Sequence, residues 1–320
     1  MAILSYLDYE LETYAGGYMG WNVEVRDPFG TVAETLSRNL ELEAQEAARA
    51  FVDRHIKENA VAVLRLEGDT NSQNIDEDDH TVWTYAATQP VYLFLDAVTE
   101  LFINCSDGSQ VGKTFQVQGT KGPGAAIPYE EISIDVALDG VDASDPVSLA
   151  AVPGAPTVED IYDIRQIRPL AEADAIDPGG GGEIFIAAGF TGAGVPTGNV
   201  YGHIPTSTRG RNLSQLGVGT IPAGFESAFG EVFLGAHEDA AVWVEAVIPG
   251  QSRVDSFRFP MKSGATIIFD PPGGIGPPSA PARYPAGTRF SLMAHAKTGG
   301  GANQTRVGGT IVMKLYRITA

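Results

Sequence analysis

Hydrophobic residues recur at every second position over much of this chain. In KTFQVQG, from Lys113, Phe115 and Val117 fall on one face and Thr114, Gln116 and Gln118 on the other. ISIDVALDG puts Ile132, Ile134, Val136 and Leu138 together. A period of two is that of a half-buried antiparallel strand. GWNVEVRDPFGTVA, from Gly20, alternates on both sides of Asp27-Pro28-Phe29-Gly30, whose second-place proline and fourth-place glycine predict a hairpin turn. VAVLRL, from Val61, predicts a short strand, and TVWTYAATQPVYLFLDAVTELFINCS, from Thr81, two or three strands broken at Pro90.

The pattern changes once. Ala44, Ala47, Ala48, Phe51, Val52, His55 and Ile56 recur at steps of three and four, predicting an amphipathic helix over residues 40–59. After residue 160, nine β segments follow between Gly/Pro turns: IYDIRQIRPL, EIFIAAGF, GNVYGHI, TIPAGFESAFGEVFLGA, AAVWVEAVIP, VDSFRFPM, GATIIFD, TRFSLMAHA and GGTIVMKLYRI. Many short strands with dense turns are the pattern of a sandwich or jelly roll. The chain therefore reads as mainly β. A small α+β module (hairpin plus helix) is expected over 1–66, a β-rich middle domain over 67–155, and an antiparallel β-sandwich or jelly-roll-like domain over 156–320. DASDPVSLAAVPGAPTVED, near residues 142–160, is the expected linker or crossing loop.

Composition narrows the function. The 38 glycines and 20 prolines among 320 residues supply the corners that so many strands need. Pro222 and Gly224 of TIPAG predict a rigid turn, with Gly224 at positive φ, feeding the strand that holds Glu231 to Leu234. Against 21 Lys and Arg stand 40 Asp and Glu, a net charge of -19, which repels a phosphate backbone and argues against nucleic acid as a partner. The acidic start MAILSYLDYELETY lacks the basic region of a secretion signal, and no apolar run reaches membrane-spanning length, so cytoplasmic synthesis and no membrane partner are expected.

Candidate chemistry is sparse. The single cysteine, Cys105, closes an apolar strand and reads as a small buried hydrophobe. No Gly-x-Ser-x-Gly elbow and no P-loop occurs, and the glycines at 179–182 and in PPGGIGPP lack the flanking strand and helix of a dinucleotide site. The five histidines, His55, His80, His203, His237 and His295, stand apart without metal-ligand spacing. Asp76-Glu77-Asp78-Asp79, with Asp69 and Asn71 upstream, offers the hard oxygens that suit Ca²⁺. It departs from the EF-hand loop, with Asn74 where that loop needs Gly and His80 where it needs Glu, and reads as a solvated loop. So does Asp139-Gly140-Val141-Asp142 with Asp145. Tyr162, Tyr201, Trp243 and Tyr284 are the conceivable platforms for a sugar ring, Trp243 being read first as core. No catalytic residue, cofactor or metal ligand is predicted.

Taken in order, ELFINCSDGSQVGKTFQVQGT, PYEEISIDVALDG, IYDIRQIRPL, TGNVYGHIP, NLSQLGVGTIPAGFESAFGEVFLG and TRFSLMAHA resemble segments of virion structural proteins of tailed bacteriophages. The resemblance runs from about Leu101 to the C terminus. It implies a non-enzymatic β-rich subunit of head decoration, cement or fibre type, often trimeric, located in the virion and holding other virion proteins through inter-subunit contacts. A module binding a host-surface glycan is the alternative, with a polysaccharide depolymerase behind it.

Overall fold

The structure, a computed structural model, describes residues 2–6, 9–16, 20–26, 32–38, 47, 62–70, 75–86, 88–95, 99–106, 110, 112–138, 145–151, 161–174, 176, 182–205, 214–251, 253–262, 266–269, 283–297 and 305–318. These residues are mainly β, in several antiparallel sheets. The chain divides into two compact units, Met1–Ala62 with Leu315–Ala320, and Val63–Lys314.

The first unit carries a meander of β1 (Ala2–Tyr6), β2 (Tyr9–Gly16), β3 (Gly20–Arg26) and β4 (Val32–Arg38), paired in that order. The hairpin expected around Asp27–Gly30 is the antiparallel β3–β4 pair, with one irregularity between Val25 and Arg26. The expected helix over 40–59 lies outside the described residues except for Ala47, which is helical.

In the second unit the alternating segments of the sequence become strands. β7 (Phe102–Cys105), β10 (Val147–Ser148), β12 (Ile184–Ala187) and β13 (Val200–Ile204) form one sheet in the order β10-β7-β12-β13. β8 (Thr114–Lys121), β9 (Glu131–Ala137) and β11 (Ile161–Pro169) form a second, ordered β11-β8-β9. Phe115, Val117, Ile132, Ile134, Val136 and Leu138 are buried, on the faces their spacing predicts. The β7–β12 and β8–β11 pairs join residues on either side of the expected boundary at 155/156, and β10 and Leu149, which is fully buried, fall in the segment expected as a linker.

All nine segments after residue 160 contain strands. β14 (Val218–Thr220), β16 (Ala240–Val247), β17 (Arg253–Met261) and β19 (Arg289–Ala296) make a sheet ordered β14-β19-β16-β17, to which the two-residue β6 (His80–Thr81) adds beside β19. β15 (Phe225–Ala236), β18 (Thr266–Phe269), β20 (Val307–Arg317) and β5 (Ala62–Asp69) make another, ordered β18-β15-β20-β5. β16 and β19 run in register from Ala240↔Ala296 to Val247↔Arg289. Val242, Trp243 and Val244 are all buried, so β16 is covered on both faces there, which explains the apolar run from Ala240 to Val244. Truncating a fully buried Trp such as Trp243 costs about 3–5 kcal/mol by general precedent.

The turn before β15 has the predicted backbone. Gly224 sits at φ 78°, and the amide of Phe225 donates to Pro222 O at 3.3 Å, so Ala223 and Gly224 occupy the two central places and the strand begins at once.

Of the two or three strands expected over residues 81–106, the described residues carry β6, which ends at Thr81, and β7. After Thr81, residues 82–86 and 88–91 run through turns and bends, and among the described residues regular pairing resumes at β7. Trp83 and Tyr92 fold onto one another edge to face at 5.3 Å, both buried, and Trp83 Nε1 donates to Gln89 O at 2.9 Å. Two large aromatics converging on one core site require a chain reversal, which an extended strand does not allow.

Candidate functional site

The irregular segment, together with Ser214, finishes two open sheet edges. Along β13, Gln89 accepts from Val200 N at 2.9 Å and donates to Val200 O at 3.1 Å, while Thr84 Oγ1 donates to His203 O at 3.0 Å. Along β11, Leu95 N donates to Tyr162 O at 3.3 Å, and Ser214 bonds both N and O of Ile167, at 2.6 and 2.9 Å. Tyr92 Oη lies between the two strands, 3.1 Å from Ile164 O and 3.0 Å from Tyr201 O. Burial, then the charge of Asp163, holds the Tyr92 hydroxyl well above the ordinary phenol range, so it stays protonated as a donor.

Below that hydroxyl lies a buried polar knot. Asp163 of β11 is fully buried and accepts from Thr120 N at 2.9 Å and Thr120 Oγ1 at 2.6 Å through one oxygen, and from Thr220 Oγ1 through the other. Thr120 is on β8 and Thr220 on β14, so one carboxylate ties two sheets together. Beside it the Arg289 guanidinium of β19 stacks over Tyr162, 3.7 Å from its centroid, and 4.8 Å from that of Phe94. An arginine 9% exposed is tolerable here because π faces and the Leu95 carbonyl, 3.4 Å from Nη2, replace water.

The acidic loop is exposed at Asp76, Glu77, Asp78 and Asp79, as expected, yet tethered. Asp76 Oδ1 meets His80 Nε2 at 2.8 Å and Asp79 Oδ1 meets His295 Nδ1 at 3.0 Å, while Asp76 O accepts from Ala296 N. His80 Nδ1 faces Ala86 O at 3.3 Å, so both its nitrogens face oxygens of the scaffold. Hydrogen bonds from His80, then from the Asp78 amide, hold the Asp76 carboxyl below its usual range. The cluster therefore pairs acids with imidazoles rather than converging oxygens on one point.

The remaining candidates are dispersed. His203 is buried against Phe185, ring centroids 4.8 Å apart, with Nδ1 3.2 Å from Thr84 O and Nε2 3.6 Å from Glu183 Oε2. His237 is exposed beside Glu238. Cys105 is buried on β7. His55, Asn71, Asp139 and Asp142 lie outside the described residues. Among the described residues no group of three or more His, Cys, Asp or Glu side chains is placed to hold a metal. Of the four aromatic platforms, Tyr201, Trp243 and Tyr284 are buried, and Tyr162 carries Arg289 on its ring. Burial pushes the Tyr284 hydroxyl up to about 12. The groups that matter most, Asp163, Tyr92 and Arg289, carried no signal in the sequence beyond a charge or hydroxyl inside an apolar run.

No family model matches the chain, and no curated protein does. Among the described residues no helix is long and apolar enough to cross a membrane.

Proposed function

We propose that this chain is a non-enzymatic structural subunit of a tailed-phage virion, of head decoration, cement or fibre type, whose work is to hold neighbouring subunits together. The observation that carries this reading is where the reactive groups go. Asp163 and Arg289 are engaged inside the fold, and Asp76 and Asp79 are tied to histidines on the same scaffold. Residues used this way build a rigid body and leave its outer strands and loops for contact. The phage resemblance of the segments from Leu101 onward supplies the particle, and the sheets of the second unit, with β16 covered on both faces from Val242 to Val244, support packing of sandwich type. Assembly as a trimer with virion neighbours, without nucleic acid, is part of the proposal.

The test is an immunoblot of purified particles of the phage that encodes the chain. Retention on particles through density-gradient purification supports the proposal. Recovery of the protein only in the soluble lysate counts against it.

A further inference from the structure

The larger unit protects its sheet edges unevenly. β13 and β11 are capped by Gln89, Thr84, Tyr92, Leu95 and Ser214, as described above. β17 carries Pro260 and an irregular register opposite Trp243 and Glu245, and β18, β14 and β10 are four, three and two residues long. β5 is closed near its end by the Gly68–Leu216 bridge and by Gly217 N donating to Glu67 O at 2.9 Å.

Among the described residues β9 has none of these devices. It is seven residues, Glu131–Ala137, without Pro, Gly or Lys. It pairs with β8 from Glu131↔Thr120 to Ala137↔Thr114 with no irregularity. Among the described residues nothing bonds to its outer backbone row. A long, regular, uncapped edge is a template for strand addition.

From this edge we infer that β9 pairs antiparallel with β9 of a second copy of the chain, across a two-fold axis through Ile134. The side chains select both partner and register. Centred on Ile134, Glu131 faces Ala137, Ser133 faces Asp135, and Ile132 faces Val136, so no like charges oppose and the buried faces of two sheets become one. Centred on Ser133, Glu131 faces Asp135, and centred on Asp135 that residue faces itself. Like charges directly opposite are destabilising. A shift of one residue sets polar side chains against the apolar face. The acids are already compensated within each copy. Arg165 reaches Glu131 at 2.7 Å, and Gln116 Nε2, itself linked to Arg168, donates to Asp135 at 3.0 Å. The two-fold contact joins chains or trimers in pairs, and it rests on the reading above only in requiring a second copy.

Two variants of the full chain test it by light scattering and by cross-linking. S133K/D135K sets lysine against lysine at two exposed positions while leaving the apolar face intact, and the mass should fall by half. S133C/D135C should give a disulfide-linked dimer under mild oxidation, whereas E131C/D135C, matched to the Ser133-centred register, should not; Cys105 is buried and does not interfere. A multimeric wild type whose mass is unchanged in S133K/D135K, with no cross-link in S133C/D135C, overturns the edge contact and leaves assembly by other surfaces standing. A wild-type chain that stays monomeric at high concentration, with no cross-link, overturns it also. Virion retention, measured separately, decides the functional reading.

Discussion

Thr120 gives Asp163 both its backbone amide and its hydroxyl, at 2.9 and 2.6 Å, while Thr220 holds the other carboxylate oxygen from the neighbouring sheet. Removing the acceptor leaves two buried hydroxyls and one buried amide with a lost partner. Asp163→Ala is expected to destabilise the protein by about 2–4 kcal/mol, and Asp163→Asn, which keeps the shape, by roughly half as much. Equilibrium denaturation of the three proteins checks the order.

Tyr92 makes the same point with one atom. Its hydroxyl serves the carbonyls of Ile164 and Tyr201, which belong to different sheets. Tyr92→Phe keeps the ring against Trp83 and loses only the donor, so a loss of about 1–2 kcal/mol is expected. Because burial keeps this phenol protonated, the difference between wild type and variant should be flat with pH from neutrality to about pH 9.

Asp76 predicts an acid limb. Its carboxyl is held below its usual range mainly by His80. A depressed folded value gives stability that is present above the unfolded value of about 3.9 and is lost as pH falls through the folded one. The side chain is 60% exposed, so solvent screening limits the effect to about 0.5 kcal/mol. Stability followed from about pH 5 down to about pH 2 should show a shallower decline in Asp76→Asn than in wild type.

Two glycines separate backbone strain from collision. Gly224 and Gly287 both lie at positive φ, 78° and 80°, but a Cβ at Gly224 meets nothing within 4 Å while one at Gly287 collides with the Tyr129 ring. Gly224→Ala should cost about 1 kcal/mol, the strain alone, and Gly287→Ala more, because Tyr129 is itself held at φ 64°. Thermal melting of the two variants side by side gives the comparison.

Much of this architecture was legible as period-two runs, and the reasons for the misses are local. Phe115, Val117 and the Ile132–Leu138 series declared their faces because β8 and β9 run without a bulge. Asp163 was not legible as a buried pin because β11 has register breaks between Ile161 and Asp163 and between Ile164 and Gln166, and each break resets which residues point inward. The stretch after Thr81 looked like strand because Val82, Trp83, Tyr92 and Leu95 are strand-forming types, whereas tertiary packing decided their conformation. TIPAG announced its turn since Gly224 alone could take the φ required. The histidine partners of Asp76 and Asp79 could be found in the sequence only for His80, four residues away, since His295 arrives from β19.

The central claim is that the chain is a building component of a particle. Quantitative mass spectrometry of gradient-purified virions, with isotope-labelled peptides from this chain and from the major shell protein, tests it most directly. The account predicts a fixed copy number per particle that survives repeated purification. A chain absent from virions, or present in traces that fall with each purification step, would contradict it.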